Sequence, residues 1–230
     1  MLARSLPKVE VKPENRSCDP DRNDFDFHLP MVSLYRHFIT EILQNTKADS
    51  FLVPDPVRVD FWRQRLSCIG KETFVGTGWK SSNMSIRRLP NYTEICELFH
   101  ILTLPNVTFI NLQYKDFADD LTKVQNELGV TVHNFDDLDH YDNLDDVAAL
   151  SAALDIVVST SSAVPLITAG VGTPTKLASW RQGFWSNTLY TPYVSSLDIF
   201  ERNTWETWDN VFRLISKDIM NYTSDGSRGT

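Results

Sequence analysis

Short apolar runs and longer amphipathic stretches take turns along this chain. "TFVGTGW" (73 to 79), "NVTFINLQY" (106 to 114), "VTVHNF" (130 to 135), "DIVVST" (155 to 160) and "TKLAS" (175 to 179) have the length and β-branched content of buried strands. Between them, residues 91 to 102, 116 to 129 and 143 to 155 carry apolar positions at helical spacing, and a further helix is expected to start near Ala163. Two helices precede the first strand. "SLYRHFITEIL" puts Leu34, Phe38, Ile39 and Leu43 on one face, and "DPVRVDFWRQRLSCIG" opens on Asp55 before Pro56 and closes at Gly70. A last helix, 205 to 220, carries Trp208, Val211, Phe212 and Ile215 at helical spacing and is expected to pack back across the body.

Strand and helix in alternation require crossovers between parallel neighbours, so the fold class is α/β, a Rossmann-like doubly wound parallel sheet with flanking helices. The expected organisation has five parts. Residues 1–28 form a loop or the remnant of an upstream half, 29–70 a helical linker region, and 71–200 the Rossmann-like domain. Residues 201–221 form the C-terminal helix and 222–230 a disordered tail.

Ligands of open α/β sheets sit beyond the carboxyl ends of the strands, which points to three places. After the first strand, "GTGWKSSNMSIRR" offers Thr77, Lys80, Ser81, Ser82, Arg87 and Arg88, a loop whose amides, hydroxyls and cations suit a diphosphate. After "DIVV" come Ser159, Thr160, Ser161 and Ser162, four hydroxyls before a helix start, where anions bind readily. An ordinary N-cap needs one hydroxyl, not four. The third place, "NLQYKD", brings Gln113 and Lys115 to where a nucleobase or ribose would lie.

Composition narrows the classes. With 22 Lys+Arg against 30 Asp+Glu the net charge is -8, which argues against nucleic acid and anionic membrane surfaces as partners. No apolar run is long enough for a membrane span and no signal peptide is apparent, so the expected location is cytoplasmic. Cys18, Cys68 and Cys96 read as reduced thiols. The glycosylation pattern at Asn15, Asn83, Asn91, Asn106 and Asn221 reads as spelling without a secretory context. The acidic run 135 to 146 lacks fixed ligand spacing, so no metal is expected. Walker, nucleophile-elbow and HExxH signatures are missing, and "GTG" supplies two of the three dinucleotide glycines, which demotes a dehydrogenase.

Four stretches in order, "FDFHLPMVSLYRHF", "VGTGWKSS", "FINLQY" with "NLDDVAALSAALDIVVST", and "AGVGTPTKLASW" with "TLYTPYVSSLDIF", resemble the C-terminal nucleotide-sugar-binding domain of GT-B glycosyltransferases. The likeness is to the bacterial tetratricopeptide-repeat glycosyltransferases and the lipopolysaccharide heptosyltransferases. It implies a domain that holds a nucleoside-diphosphate sugar as donor, with no required cofactor. The loop resembling "WKSS", Trp79 to Ser82, and the helix start resembling "STSSA" would line the donor phosphates. The heptosyltransferase pattern has Asp where Ser161 stands, His near Leu166 and Lys at Thr173. The resemblance also implies that an N-terminal half domain, or a second copy of the chain, completes the enzyme. That half would supply the acceptor site and the catalytic base, so no catalytic residue is named here and the chain reads as truncated.

The expected function is that of a glycosyltransferase donor-binding half acting on a protein or glycan acceptor. The alternative is a non-catalytic nucleotide-sugar-binding or regulatory and assembly module of the same fold.

Overall fold

The computed structural model describes residues 1–12, 26–44, 50–70, 73–86, 88–180 and 194–224. Cys18, Asn15, Arg87 and the stretch 188 to 193 of the family likeness lie outside the described residues.

Ahead of the sheet come α1 (Leu2–Ser5), α2 (Met31–Gln44) and α3 (Pro56–Ser67). Asp55 caps α3 as its position predicts, its carboxylate accepting from the Val57 and Arg58 amides, with Pro56 at the start. The predicted apolar face of α2 is different: Phe38 breaks the helical backbone, and Leu34 and Phe38 are exposed.

Six strands follow with their helices: β1 (Thr73–Gly78), α4 (Phe99–Leu102), β2 (Val107–Asn111), α5 (Ala118–Leu128), β3 (Val132–His133), α6 (Leu144–Ala152), β4 (Ile156–Thr160), α7 (Val164–Gly170), β5 (Thr175–Trp180), β6 (Leu197–Arg202) and α8 (Asp209–Ser224). The order across the sheet is β3-β2-β1-β4-β5-β6, and all pairings are parallel. That is the strand order of a doubly wound dinucleotide-binding sheet.

Side chains alternate along a strand, so the central strands β1, β2 and β4 each feed two cores. Val75, Phe109, Ile156, Val158 and Ala178 meet Ile95, Leu98, Phe212 and Ile215 on the α8 side. Ile110 and Val157 meet Trp62, Leu66, Leu150 and Ile167 on the α3, α6 and α7 side. Both faces of β4 are therefore covered, and all five of its residues are buried.

Two further elements depart from expectation. Residues 91 to 102 are not one helix but two 3₁₀ turns and the single turn of α4. The cause is tertiary: the Thr93 amide donates to the Trp79 carbonyl at 3.1 Å, and a capping box between Glu94 and Glu97 starts a fresh turn. The expected last strand, β5, has a further parallel neighbour in β6, in register from Thr175↔Leu197 to Trp180↔Arg202. Lys176 reaches across to Asp198 on β6 at 2.7 Å and to Asp218 on α8 at 2.5 Å, tying the edge strand to the closing helix.

Candidate functional site

β1 is the centre of the sheet, and the chain runs outward from it on one side through β2 and on the other through β4. In open α/β sheets the ligand crevice lies beyond the carboxyl ends of two such strands. Gly78 and Ser159 face each other there in register, and a Cβ at Gly78 would lie 3.3 Å from Ser159 Oγ. The glycine lets the two strand ends approach closely.

The loop after β1 is braced residue by residue from the end of β2. Gln113 Oε1 accepts the Trp79 and Lys80 amides, each at 3.1 Å. Tyr114 Oη accepts the Ser82 amide at 2.9 Å and lies 2.5 Å from Ser81 Oγ. Gln113 is itself fixed, its amide donating to Asn111 Oδ1 at 2.9 Å, while Asn111 Nδ2 donates to Asn134 Oδ1 at 2.9 Å. The expectation that this loop turns its amides toward a diphosphate therefore fails at 79, 80 and 82, because those three amides are satisfied within the protein. Gln113 is buried, and its amide group is spent on the loop and on the Lys115 carbonyl.

The side chains of the loop divide into buried and accessible. Trp79 is fully buried, with its indole N–H donating to Asp120 Oδ2 at 2.7 Å. Lys80 Nζ donates to the same oxygen at 2.6 Å and remains partly exposed. Ser81 is buried against Tyr114, whereas Ser82 and Arg88 are exposed. Burial pushes the Tyr114 hydroxyl pKa up, but the hydrogen bonds with Ser81 and Ser82 outweigh it, and the net shift is downward.

The hydroxyl run after "DIVV" does not form one cluster. Ser159 and Thr160 belong to β4 and are buried, and as successive strand residues they point to opposite faces. Ser159 Oγ donates to the Thr160 carbonyl at 3.1 Å. Ser162 accepts the Val164 amide at 3.2 Å in a local turn ahead of α7, whose N-cap is Ala163, and Ser161 beside it is part-exposed. Among the described residues, Thr77 Oγ1 and Thr160 Oγ1 are buried without a hydrogen-bond partner. Both residues sit at the carboxyl ends of neighbouring strands, Thr77 one residue before Gly78 and Thr160 one residue after Ser159.

Sequence reading missed Tyr114, Asp120 and Tyr141. Tyr141 is half exposed, its ring centroid 6.0 Å from that of Tyr114 and 4.0 Å from Lys115 Nζ. Asp120 lies in the first turn of α5, where carboxylates are common, so its spacing carries no signal. The acidic run has local uses. Asp146 accepts from Trp62 Nε1 at 2.7 Å and pairs bidentately with Arg58, Asp137 pairs with Arg65 at 2.6 Å, and Asp139 accepts the Tyr141 and Asp142 amides. No group of three or more His, Cys, Asp or Glu residues among the described ones is arranged to hold a metal ion.

No family model matches the sequence. A relative, protein FlbA of Caulobacter vibrioides, is 31% identical over 182 residues, which is 77% of this chain. The chain spans 30% of the length of FlbA. Among solved structures, ADP-heptose LPS heptosyltransferase II of E. coli superposes with a TM-score of 0.55 at 13% identity, covering 77% of this chain and 54% of that one. A family 9 glycosyl transferase from Veillonella parvula gives 0.51 at 9% identity, covering 76% and 52%. The chain shares the Rossmann-like α/β fold of these proteins. No described helix is long and apolar enough to cross a membrane.

Proposed function

We propose that this chain is the donor-binding half of a glycosyltransferase, holding a nucleoside-diphosphate sugar beyond the carboxyl ends of β1 and β4 for transfer to a protein or glycan acceptor. The observation that carries the reading is the meeting of two polar loops at the switch point of a sheet whose fold is shared with a heptosyltransferase. Lys80 supplies charge for the diphosphate, and the exposed Ser82 with the part-exposed Ser161 and Ser162 supply hydroxyls. The unpartnered Thr77 and Thr160 hydroxyls add support, since buried polar groups without partners are rare in proteins and concentrate where function demands them. Stabilising the leaving diphosphate is the chemistry these residues contribute. The acceptor site and catalytic base belong, in this reading, to a companion half domain or a second copy, and the chain works in the cytoplasm.

A second reading, a non-catalytic nucleotide-sugar-binding or assembly module, draws on the three loop amides already satisfied inside the protein. Calorimetric titration of UDP, GDP and ADP, with and without magnesium, tests both readings. Wild type is expected to bind one nucleotide, and Lys80→Ala/Ser161→Ala/Ser162→Ala to lose that binding. Binding without turnover, even with the companion half supplied, would favour the module. No binding of any nucleotide to the complete protein would remove the transferase reading.

A further inference from the structure

The phosphate-binding reading needs the Lys80 ammonium, yet that ammonium already has a partner. Asp120, in the first turn of α5, accepts both Lys80 Nζ at 2.6 Å and the Trp79 indole at 2.7 Å on one oxygen. The side chains of the pair are 22% and 14% exposed, so the charges are partly desolvated and feel each other more strongly than a surface pair does. We propose that Asp120 is a resident counter-anion, which occupies Lys80 until a diphosphate oxygen displaces it and thereby sets how tightly the site holds its nucleotide. This rests on the reading of the crevice as a diphosphate site.

Three features fit the pair for opening. Lysine carries its charge on a flexible four-carbon stem with three rotatable donors, so Lys80 can swing to a new acceptor. Asp120 is not stranded when it does, because the buried Trp79 indole still donates to it. The amino end of α5 also favours its negative charge. The backbone of Lys80 stays where Gln113 holds it, so the exchange involves the side chain alone.

The functional consequence is a moderated affinity. A carboxylate and a phosphate compete for one cation, and the carboxylate repels the incoming anion from a few ångströms away. A donor site of this kind releases its nucleoside diphosphate after transfer more readily than one with an uncompensated lysine.

Asp120→Asn separates this role from simple positioning, since an asparagine oxygen still accepts from the indole and the ammonium while the charge is gone. Titration of ADP and UDP into the full chain is expected to show binding on the order of three- to fivefold tighter in D120N, the range of a partly screened ion pair. The dependence of affinity on ionic strength is expected to steepen. In a Lys80→Met background the same substitution is expected to bring no gain. Equal or weaker binding by D120N with an unchanged melting temperature would overturn the counter-anion role and leave the nucleotide reading standing. Binding by neither wild type nor variant would remove both. Should D120N fold poorly, the lysine ε-methylene resonances of labelled wild type serve instead: Lys80 is expected to shift when ADP is added, and an unmoved resonance at saturation would overturn the exchange.

Discussion

Gln113 holds Lys80 by its backbone and leaves its side chain free to choose a partner: Gln113 Oε1 accepts the Lys80 amide at 3.1 Å, while the ammonium reaches Asp120. The same oxygen takes the Trp79 amide, so one buried residue fixes two consecutive positions of the loop. Tyr114 fixes the next two through its hydroxyl.

Gln113→Leu removes that acceptor without changing the bulk of the side chain greatly. The buried Trp79 amide and the part-buried Lys80 amide lose their partner, and a buried orphaned group costs about 1–3 kcal/mol. Urea denaturation is expected to show a loss of roughly 2–4 kcal/mol. A loss under about 0.5 kcal/mol, the size of an ordinary surface substitution, would mean that the loop does not depend on the brace.

Asp146→Ala breaks a different junction, between α3 and α6. It strands the Trp62 indole N–H inside the core and leaves Arg58 without its bidentate partner. Arg58 is itself partly exposed, so the expected loss is about 2 kcal/mol rather than the larger cost of breaking a fully buried pair. Thermal or chemical unfolding reads it directly, and a neutral outcome would show that α3 is held by apolar contacts alone.

His140 predicts acid sensitivity. It is buried, neither ring nitrogen has a partner, and burial pulls its pKa below the ordinary 6.5, with Asp139 only partly opposing. The unfolded chain takes up this proton near pH 6.5 and the folded chain does not, so stability is complete above that pH. It falls as pH drops from 6.5 toward the depressed value, by at most about 1.4 kcal/mol per pH unit. His140→Phe is expected to flatten the profile of melting temperature between pH 5 and about 6.5; an unchanged slope would assign the sensitivity to other groups.

Self-association is the fourth expectation. Phe27, Ile86 and Trp205 are 89%, 86% and 95% exposed, and Leu34 and Phe38 of α2 are uncovered. Contiguous apolar surface drives association, and the reading of the chain as a half of an enzyme expects these residues to contribute to such a face. Light scattering is expected to report a mass that rises with concentration, and Phe27→Ser/Ile86→Ser to lower it. A constant monomer mass up to high concentration would contradict the expectation.

Much of the fold is legible in the sequence because the central strands are buried on both faces. Runs such as Ile156 to Val158 have no other reasonable place. Asp55 and Pro56 announce their helix by local chemistry alone. β6 is harder to read, since Asp198 and Glu201 interrupt its apolar positions and its pairing with β5 is a tertiary fact. The site follows the same division. Which loops meet follows from strand order, whereas Asp120 finds Lys80 across 40 positions and nothing local marks it. The four hydroxyls looked like one cluster because a linear reading ignores the turn of side chains from face to face along β4.

The central place of β1 also joins pairings of very different separation along the chain. Its pairing with β2 and the loop contacts of Gln113 and Tyr114 all lie between Thr73 and Tyr114, with Asn134 reinforcing them through Asn111. Its other side waits for β4: the Phe74 amide meets the Asp155 carboxylate across 81 positions of chain. Pairings so distant in sequence are slow to form and leave a strand edge open meanwhile. The two sides of β1 thus differ in the length of chain they must close, a short one toward β2 and a long one toward β4.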